Sequence, residues 1–536
     1  LEGGVSLILI NSSPKDALKI FQPFLPIFVP IGVGSLLGVA EKEGIKPRYI
    51  DEQIEDEDNI LNLVAEHVRE MEKPYIFGFS AFTVAFKSAI LLSKELKLRY
   101  PDSVILFGSI HPTAMPEEVL SYDHVDIVFR GEGENSLFDL YRCIKNGKDF
   151  THINNISYWK DGRVIHNNRD HVFEELDKYP SFPYHLFEKK GYDLGFVIGS
   201  RGCPYGCIFC SNRITTGKKY RFRSAEAIVN ELDLLYHKYN RRAILFLDDN
   251  LLVNEKRIYT LMEEIKRMGL DKKMSFNFQA RGDNVNYKLL KDLYSAGFRS
   301  VFFGIETASD RIMKIIKKGE TVAECKEAVR MAKEIGFHVS ATFIYALPGE
   351  THQDRMDCVR LSKELKLDMV RYNNSTPYPG TELYEIAKRE NRLNIQGLYE
   401  NFNSVSTFIE NPFKKIPFSY VPSDNTEDEI RRDVLFSYFS FYLDAERLKK
   451  IFARPDQGVG WFNAGEKFLE FLKKVPALIF LGLMMAVKFG QLFYYMVIKK
   501  ETAISFRYFL KIFDGLWNIK NSVDTTNNKD IKKTET

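Results

Sequence analysis

Three thiols fall within eight residues in the run Arg201-Gly202-Cys203-Pro204-Tyr205-Gly206-Cys207-Ile208-Phe209-Cys210, with glycines and a proline between them. Such a loop can wrap a metal centre. Three sulfurs can cap three irons of a cubic 4Fe-4S cluster, and without a fourth cysteine nearby the last iron stays open to another ligand. An open position means chemistry as well as support. Zinc is the competing reading, but a structural zinc site draws four Cys or His ligands, usually as two close pairs, and no second pair accompanies this triplet. A disulfide framework is disfavoured by six cysteines in 536 residues, three of them crowded into one loop. Cys143, Cys325 and Cys358 stand alone in stretches of helical pattern, where a single cysteine behaves as a small buried hydrophobe.

Other reactive groups sit where apolar runs end. Asp248-Asp249-Asn250 offers two adjacent carboxylates at a presumed cavity, which can hold ligand hydroxyls, work as an acid and base pair, or cap a helix. In Gly304-Ile305-Glu306-Thr307-Ala308-Ser309 the carboxylate of Glu306 can accept hydrogen bonds from hydroxyls or a charged amine. Gln279-Ala280-Arg281 presents a guanidinium suited to a carboxylate.

The elements that must position these groups alternate short buried strands with amphipathic helices, so the fold class expected is α/β with parallel sheets. In the first 150 residues, strands are expected at 5–10, 47–51, 75–80, 103–108 and 126–130, forming a Rossmann-like, doubly wound unit. Ligands of such sheets sit at the carboxyl ends of the strands, so residues 11–13, 80–83, 108–113 and 131–133 should line one crevice. No G-x-G-x-x-G follows the first strand, which weakens a nicotinamide or flavin reading. Residues 151–190 read as a hairpin and a proline-containing connector. From 191 to 400 the alternation resumes, with strands expected at 196–199, 243–247, 274–280, 300–305, 338–344 and 369–375.

Hydrophobic residues at 45% can bury more than one core, and 75 basic against 72 acidic side chains leave a formal charge of +3. That near-balance shows no electrostatic footprint for nucleic acid, which is not an expected partner. A thiol-bound, oxygen-sensitive cluster implies a reducing cytosol, and no signal peptide precedes the first strand, so a cytoplasmic location is expected.

The spacing of the thiols, with an aromatic just before the last, resembles the signature of the radical S-adenosylmethionine (SAM) enzymes. The six strand-helix units resemble that family's partial (β/α)6 barrel, whose chemistry gathers at the C-terminal strand ends. The proline-rich run 23–30 with Gly32-Val33-Gly34, then Phe107-Gly108-Ser109-Ile110-His111-Pro112-Thr113 and Arg130-Gly131-Glu132-Gly133-Glu134, resembles the cobalamin-binding domain that precedes many such barrels. In that family the open iron chelates SAM and reduces its sulfonium to a 5'-deoxyadenosyl radical. The resemblance implies that Cys203, Cys207 and Cys210 hold the cluster and are catalytic. It implies that Glu306 and Ser309, in their motif, meet the ribose and methionine of SAM, and that Phe209 and Leu347 lie beside adenine. Asp248 and Arg281 become candidate SAM contacts, and Ser80, Thr83, Gly108, His111, Thr113, Gly131 and Glu132 candidate cobalamin contacts.

Two departures stand out. Ser109 replaces the family's second glycine, and the D-x-H-x-x-G motif that ligates cobalt in many cobalamin proteins is missing. His111, read as a loop residue, is therefore not expected to ligate cobalt. The activity implied is methylation of an unactivated carbon through the radical and methylcobalamin, with an electron donor such as flavodoxin or ferredoxin. Cyclisation, oxidation or carbon-carbon coupling with the same parts is the alternative, and a non-catalytic iron-sulfur protein is the alternative of another class.

Residues 401–520 read as a helical, aromatic-rich region, and 521–536 as a polar, disordered tail. Residues 475–498 are apolar except for Lys488 and Gln491, with Lys473, Lys474, Lys499 and Lys500 on either side. The length suits a membrane span of about 20 residues, but Lys488 near its middle would cost about 2.5 to 3.5 kcal/mol. Phe506, Phe509, Leu510, Phe513, Leu516 and Trp517 share one helical face. The expectation is either packing on the barrel or peripheral docking at the inner face of a membrane, where a lipid-like substrate in place of a small polar one would be reached.

Overall fold

The computed structural model describes residues 6–14, 27–169, 175–188, 191–403, 415–444 and 468–498. Near-continuous apolar runs such as Leu-Ile-Leu-Ile and Val-Ile-Leu-Phe become strands covered on both faces, as parallel sheets require. The strands are β1 (Leu7–Asn11), β2 (Ile27–Phe28), β3 (Arg48–Asp51), β4 (Ile76–Ser80), β5 (Val104–Gly108), β6 (Ile127–Phe129), β7 (Ile156–Lys160) and β8 (Arg163–His166). Then come β9 (Tyr192–Asp193), β10 (Phe196–Val197), β11 (Ser200–Arg201), β12 (Arg221–Phe222), β13 (Ala243–Phe246), β14 (Ser275–Ala280), β15 (Phe298–Glu306), β16 (His338–Tyr345) and β17 (Met369–Asn374).

The N-terminal sheet runs β3-β1-β4-β5-β6-β7-β8, with β3 through β6 parallel. The order reverses between β1 and β4, so the crevice opens there, at the ends Asn11 and Ser80. The hairpin expected in the connector is instead part of this sheet. β7 pairs antiparallel with β6, burying Ile156 and Tyr158, and the Trp159 indole donates to the Leu120 carbonyl at 2.6 Å. An otherwise open edge of backbone groups is thereby filled.

Side chains alternate strictly across this sheet. Leu7, Leu9 and Ile76 join a core continuous with that of the barrel, whereas Ile8, Ile10, Phe77 and Phe79 face the opposite way. The second core is completed from far along the chain by Tyr384, Tyr399 and Phe402.

The second sheet, β10-β13-β14-β15-β16-β17, is parallel throughout and follows chain order, a six-stranded open barrel. Phe246, Phe276 and Phe298 pack ring to ring inside it, at centroid separations of 5.2 to 5.9 Å. Most of its helices start on side-chain caps, with full capping boxes at Thr321–Glu324 and Thr351–Asp354.

Tyrosines from helix Glu427–Tyr442 serve the outer edge of β17. Tyr372 N donates to Tyr438 Oη at 3.1 Å, and Tyr442 Oη both accepts from Val370 N and donates to its carbonyl. Arg355, wholly buried, ties the same helix to the barrel through Asp433 at 2.7 Å and Glu350 at 3.2 Å.

Helix Phe468–Phe493 follows, ending in a π turn, Tyr494–Ile498. It turns Met484, Lys488, Leu492 and Met496 inward and leaves Ile479, Phe480, Leu483, Tyr494 and Ile498 outward. Among the described residues no helix is long and apolar enough to cross a membrane. The aromatic face expected at 506–517 and the tail at 521–536 lie outside the described residues.

Candidate functional site

The cysteine loop hangs from a two-stranded ribbon, β11 against β12, in which Arg201 faces Arg221. Gly202, at φ +85, lies so close to Lys219 that an added Cβ would stand 2.3 Å from its carbonyl oxygen, so only glycine fits. Ile208 pins the loop to the barrel: its N–H donates to Ile316 O at 3.1 Å and its carbonyl accepts from Leu383 N at 2.9 Å. Ile208 also shares an apolar cluster with Ile312, Ile316 and Leu347, against which Phe209 packs. Phe209 and Leu347, far apart in the chain, are thus brought to one place.

The three thiols are free and partly exposed. Burial raises all three, Cys210 to about 11, and Cys203 and Cys210 each feel the charge of neighbouring thiols as well. Arg281 and Lys318 act in the opposite sense on Cys207, and Arg281 also on Cys203. Cations beside thiols favour the thiolates that iron needs. Among the described residues no three His, Cys, Asp or Glu side chains gather around a single metal ion. Three thiols on one loop beside Arg281 and Lys318 are the donor set that a cubic 4Fe-4S cluster takes. Cys325 is buried against Gly282 and Cys358 accepts from Ala308 N at 3.3 Å, so both act in packing.

Behind the loop, β15 ends in a bulge at Glu306, whose φ is +67. Gly304 allows the carboxylate to fold back, since a Cβ there would lie 2.6 Å from Glu306 Oε1. Lys318 Nζ sits between Glu306 Oε1 at 3.5 Å and Glu320 Oε1 at 3.4 Å, all three groups buried. Glu306 Oε2 is buried without a hydrogen-bond partner. Burial raises the Glu306 carboxyl and Lys318 counters it. An unsatisfied buried carboxylate oxygen beside the thiols is a ready acceptor for ligand hydroxyls.

Other expected contacts are occupied by the protein itself. Asp248 does not face the cavity: it accepts from Gly199 N at 3.0 Å and from Ser200 Oγ, and it lies 3.9 Å from Arg257. It holds the entry to the cysteine loop. Its neighbour Asp249 is the half-exposed one, accepting from Asn212 at 2.6 Å and raising the Cys203 and Cys210 thiols by its charge. Arg281 is committed to Asp283 at 2.8 and 2.9 Å and to the Lys318 carbonyl at 2.7 Å, and it stacks on Tyr205 at 3.6 Å. It shapes the loop instead of offering an open guanidinium. The Ser309 hydroxyl lies beside Asp354 and helps hold its carboxyl down. Lys318 and Glu320 were not singled out by sequence, because a lysine in a basic run and an acid near a helix start read as solvated, and of the two carboxylates at 248–249 it is Asp249 that stays half-exposed beside the thiols.

In the N-terminal crevice, Ser80 and Gly108 end β4 and β5, and Thr83 is buried in the next turn. Thr113 Oγ1 donates to Ser109 O at 2.6 Å and accepts from Gly131 N at 2.9 Å, stapling two crevice loops together. Ser109 stands at φ +89, ψ −165, a region suited to glycine, so the family's backbone is kept although the residue differs. His111 is not in a loop but in helix Ile110–Ala114, fully buried, its ring 4.2 Å from Phe86 and 4.8 Å from Tyr399. Neither ring nitrogen has a partner, and burial pushes its pKa down to about 3. Glu132 is taken by Arg201 and Arg221.

Elements beside the two sites are in contact. Helix Ile110–Ala114 packs on helix Asn212–Thr216 just past Cys210, and a Cβ on Gly380, beyond β17, would meet both Ile214 and Ala114 within 3.1 Å. The element after β5 of the N-terminal sheet and the element after the cysteine loop are therefore packed together.

Residues 197–362 match the radical SAM superfamily and residues 22–140 the B12 binding domain. The chain is 31% identical to an uncharacterized methyltransferase of Pyrococcus horikoshii over 78% of this chain and 89% of that protein. It is 25% identical to the anaerobic magnesium-protoporphyrin IX monomethyl ester cyclase of Cereibacter sphaeroides, over 81% and 69%. The fold is like that of the cobalamin-dependent SAM radical enzyme OxsB solved with aqua-cobalamin and SAM, with TM-score 0.64, 17% identity and 97% and 84% of the chains covered. The chain belongs to the cobalamin-binding radical SAM enzymes, whose cofactors are a 4Fe-4S cluster, SAM and cobalamin.

Proposed function

We propose that the chain is a C-methyltransferase acting on an unactivated carbon. The observation that carries the reading is the contact between helix Ile110–Ala114, which follows β5, and helix Asn212–Thr216, which follows the cysteine loop. When bound, the three cofactors supply a strongly reducing electron, a primary carbon radical and a methyl group. The protein's share is placement. Cys203, Cys207 and Cys210 would hold the cluster, and the unsatisfied Glu306 oxygen would accept from SAM, with Phe209 and Leu347 as the apolar wall. Buried surroundings exclude water from the reacting groups. A small electron carrier of the flavodoxin or ferredoxin type would reduce the cluster.

We also propose that helix Phe468–Phe493 lies on an anionic membrane surface, giving a hydrophobic substrate access. Its outward face, Ile479, Phe480, Leu483, Tyr494 and Ile498, carries no charge, while Lys488 points inward. Lysines at 473, 474, 499 and 500 bracket the run and suit anionic headgroups.

The test uses anaerobically reconstituted protein. About four irons should load, and SAM should be cleaved reductively. Replacing any of the three cysteines by alanine should abolish cleavage, and Glu306→Gln should weaken SAM binding while leaving iron content intact. With methyl-deuterated SAM, label should enter a substrate drawn from a small-molecule extract. Cleavage without label transfer would favour cyclisation or oxidation, the reading that the cyclase relative supports.

A further inference from the structure

The ribbon that carries the cysteine loop is built against itself. Arg201 and Arg221 are direct cross-strand partners, and like charges in that position repel. Their neutralising partners come from the other sheet. Glu132, in the loop after β6, meets Arg201 at 3.0 Å through Oε2, and Arg221 through both oxygens, at 3.2 Å from Oε2 and closer from Oε1. Glu134 meets Arg201 at 2.8 Å. The four side chains are little exposed, Arg221 at 1% and both glutamates at 6%. Arg201 also reaches Ser35 Oγ at 3.3 Å and lies over the Tyr179 ring at 5.1 Å, so helix Ile31–Lys42 and the connector close around it.

We infer that Glu132, assisted by Glu134, is a positioning residue that locks the N-terminal sheet to the root of the cysteine loop and so sets the cobalamin-to-cluster separation. The inference rests on the cofactor placement proposed above. Arg201 lies two residues before Cys203, and Glu132 directly follows Gly131 of the crevice, so a shift at this clasp moves both cofactor seats relative to each other. A bidentate Glu-Arg contact fixes direction as well as distance.

The test is pulsed electron paramagnetic resonance on the holoenzyme, measuring the coupling between Co(II) cobalamin and the reduced cluster. Wild type should give one narrow distance. Glu132→Gln should keep iron and cobalamin content but lose the narrow distribution, with SAM cleavage uncoupled from product formation. Glu132→Asp, which keeps the charge, should recover a single distance. An unchanged distribution in Glu132→Gln overturns the inference. If that variant fails to accumulate, Glu134→Gln is read in the same way, with the same two outcomes. Failure of the wild type to load either cofactor would instead refute the underlying placement.

Discussion

Ser109 offers a direct test of whether this chain keeps a glycine backbone without the glycine. At φ +89 and ψ −165 its Cβ sits in a region used almost only by glycine, at a cost of about 1 to 3 kcal/mol. Ser109→Gly removes that cost but adds about 0.5 to 1 kcal/mol of unfolded-chain entropy, leaving, at the middle of those ranges, a net gain of about 1 kcal/mol. With a urea slope of about 1 to 3 kcal/mol/M, the midpoint should rise by roughly 0.3 to 1 M at constant slope. Trp159, whose indole is bonded to Leu120 on this sheet, supplies the fluorescence signal in a background with Trp461 and Trp517 changed to phenylalanine. Ser109→Ala is the control: it removes the hydroxyl, keeps Cβ, and should stay within about 0.5 kcal/mol of wild type. A glycine variant no more stable than the alanine variant would refute the reasoning.

Three further outcomes are expected. His111 has a folded pKa of about 3, below its ordinary 6.5, so its contribution is complete above pH 6.5 and is lost as pH falls toward 3. Between those limits the loss is about 1.4 kcal/mol per pH unit, and His111→Phe should flatten the pH dependence of the urea midpoint by that amount; an unchanged slope counts against a buried neutral ring. Arg355→Met would strand Glu350 as a buried carboxylate, while Asp433 keeps Arg432 and His352, and should destabilise the fold by about 3 kcal/mol in denaturant titration, whereas a loss under 1 kcal/mol would mean the network is solvated. Full-length protein should sediment with anionic vesicles at low salt and be released by high salt; removal of residues 468–536 should abolish binding with the cluster intact, and binding that survives truncation would remove the helix from that role.

Strands were legible because parallel strands buried on both faces read as unbroken apolar runs, as in Ile76–Ser80 and Val104–Gly108. The cysteine loop was legible because its ligands are local. Partnerships across long separations were not. Nothing near Glu132 announces Arg201 and Arg221, and nothing near Arg281 reveals that the Lys318 carbonyl will occupy it. The choice between Asp248 and Asp249 depends on Gly199, Ser200 and Arg257, which only folding brings to one of the two. His111 looked like a loop residue because Pro112 follows it, yet a proline is tolerated early in a helix and the ring became core. The hairpin at Ile156–His166 looked separate because antiparallel pairing to β6 leaves no mark in its own pattern.

The second face of the N-terminal sheet is finished by Tyr399 and Phe402, which join Phe86, Phe107 and His111. During synthesis the last strand of that sheet, ending at His166, leaves the ribosome long before those rings exist. At about 5 to 20 residues per second the interval is on the order of tens of seconds. Throughout it an apolar patch around Phe86 stays uncovered on an otherwise assembled sheet. The lobe that comes first in the gene is therefore finished only after the strands of the barrel have been made, and until then the nascent chain carries an apolar surface that a holdase can bind.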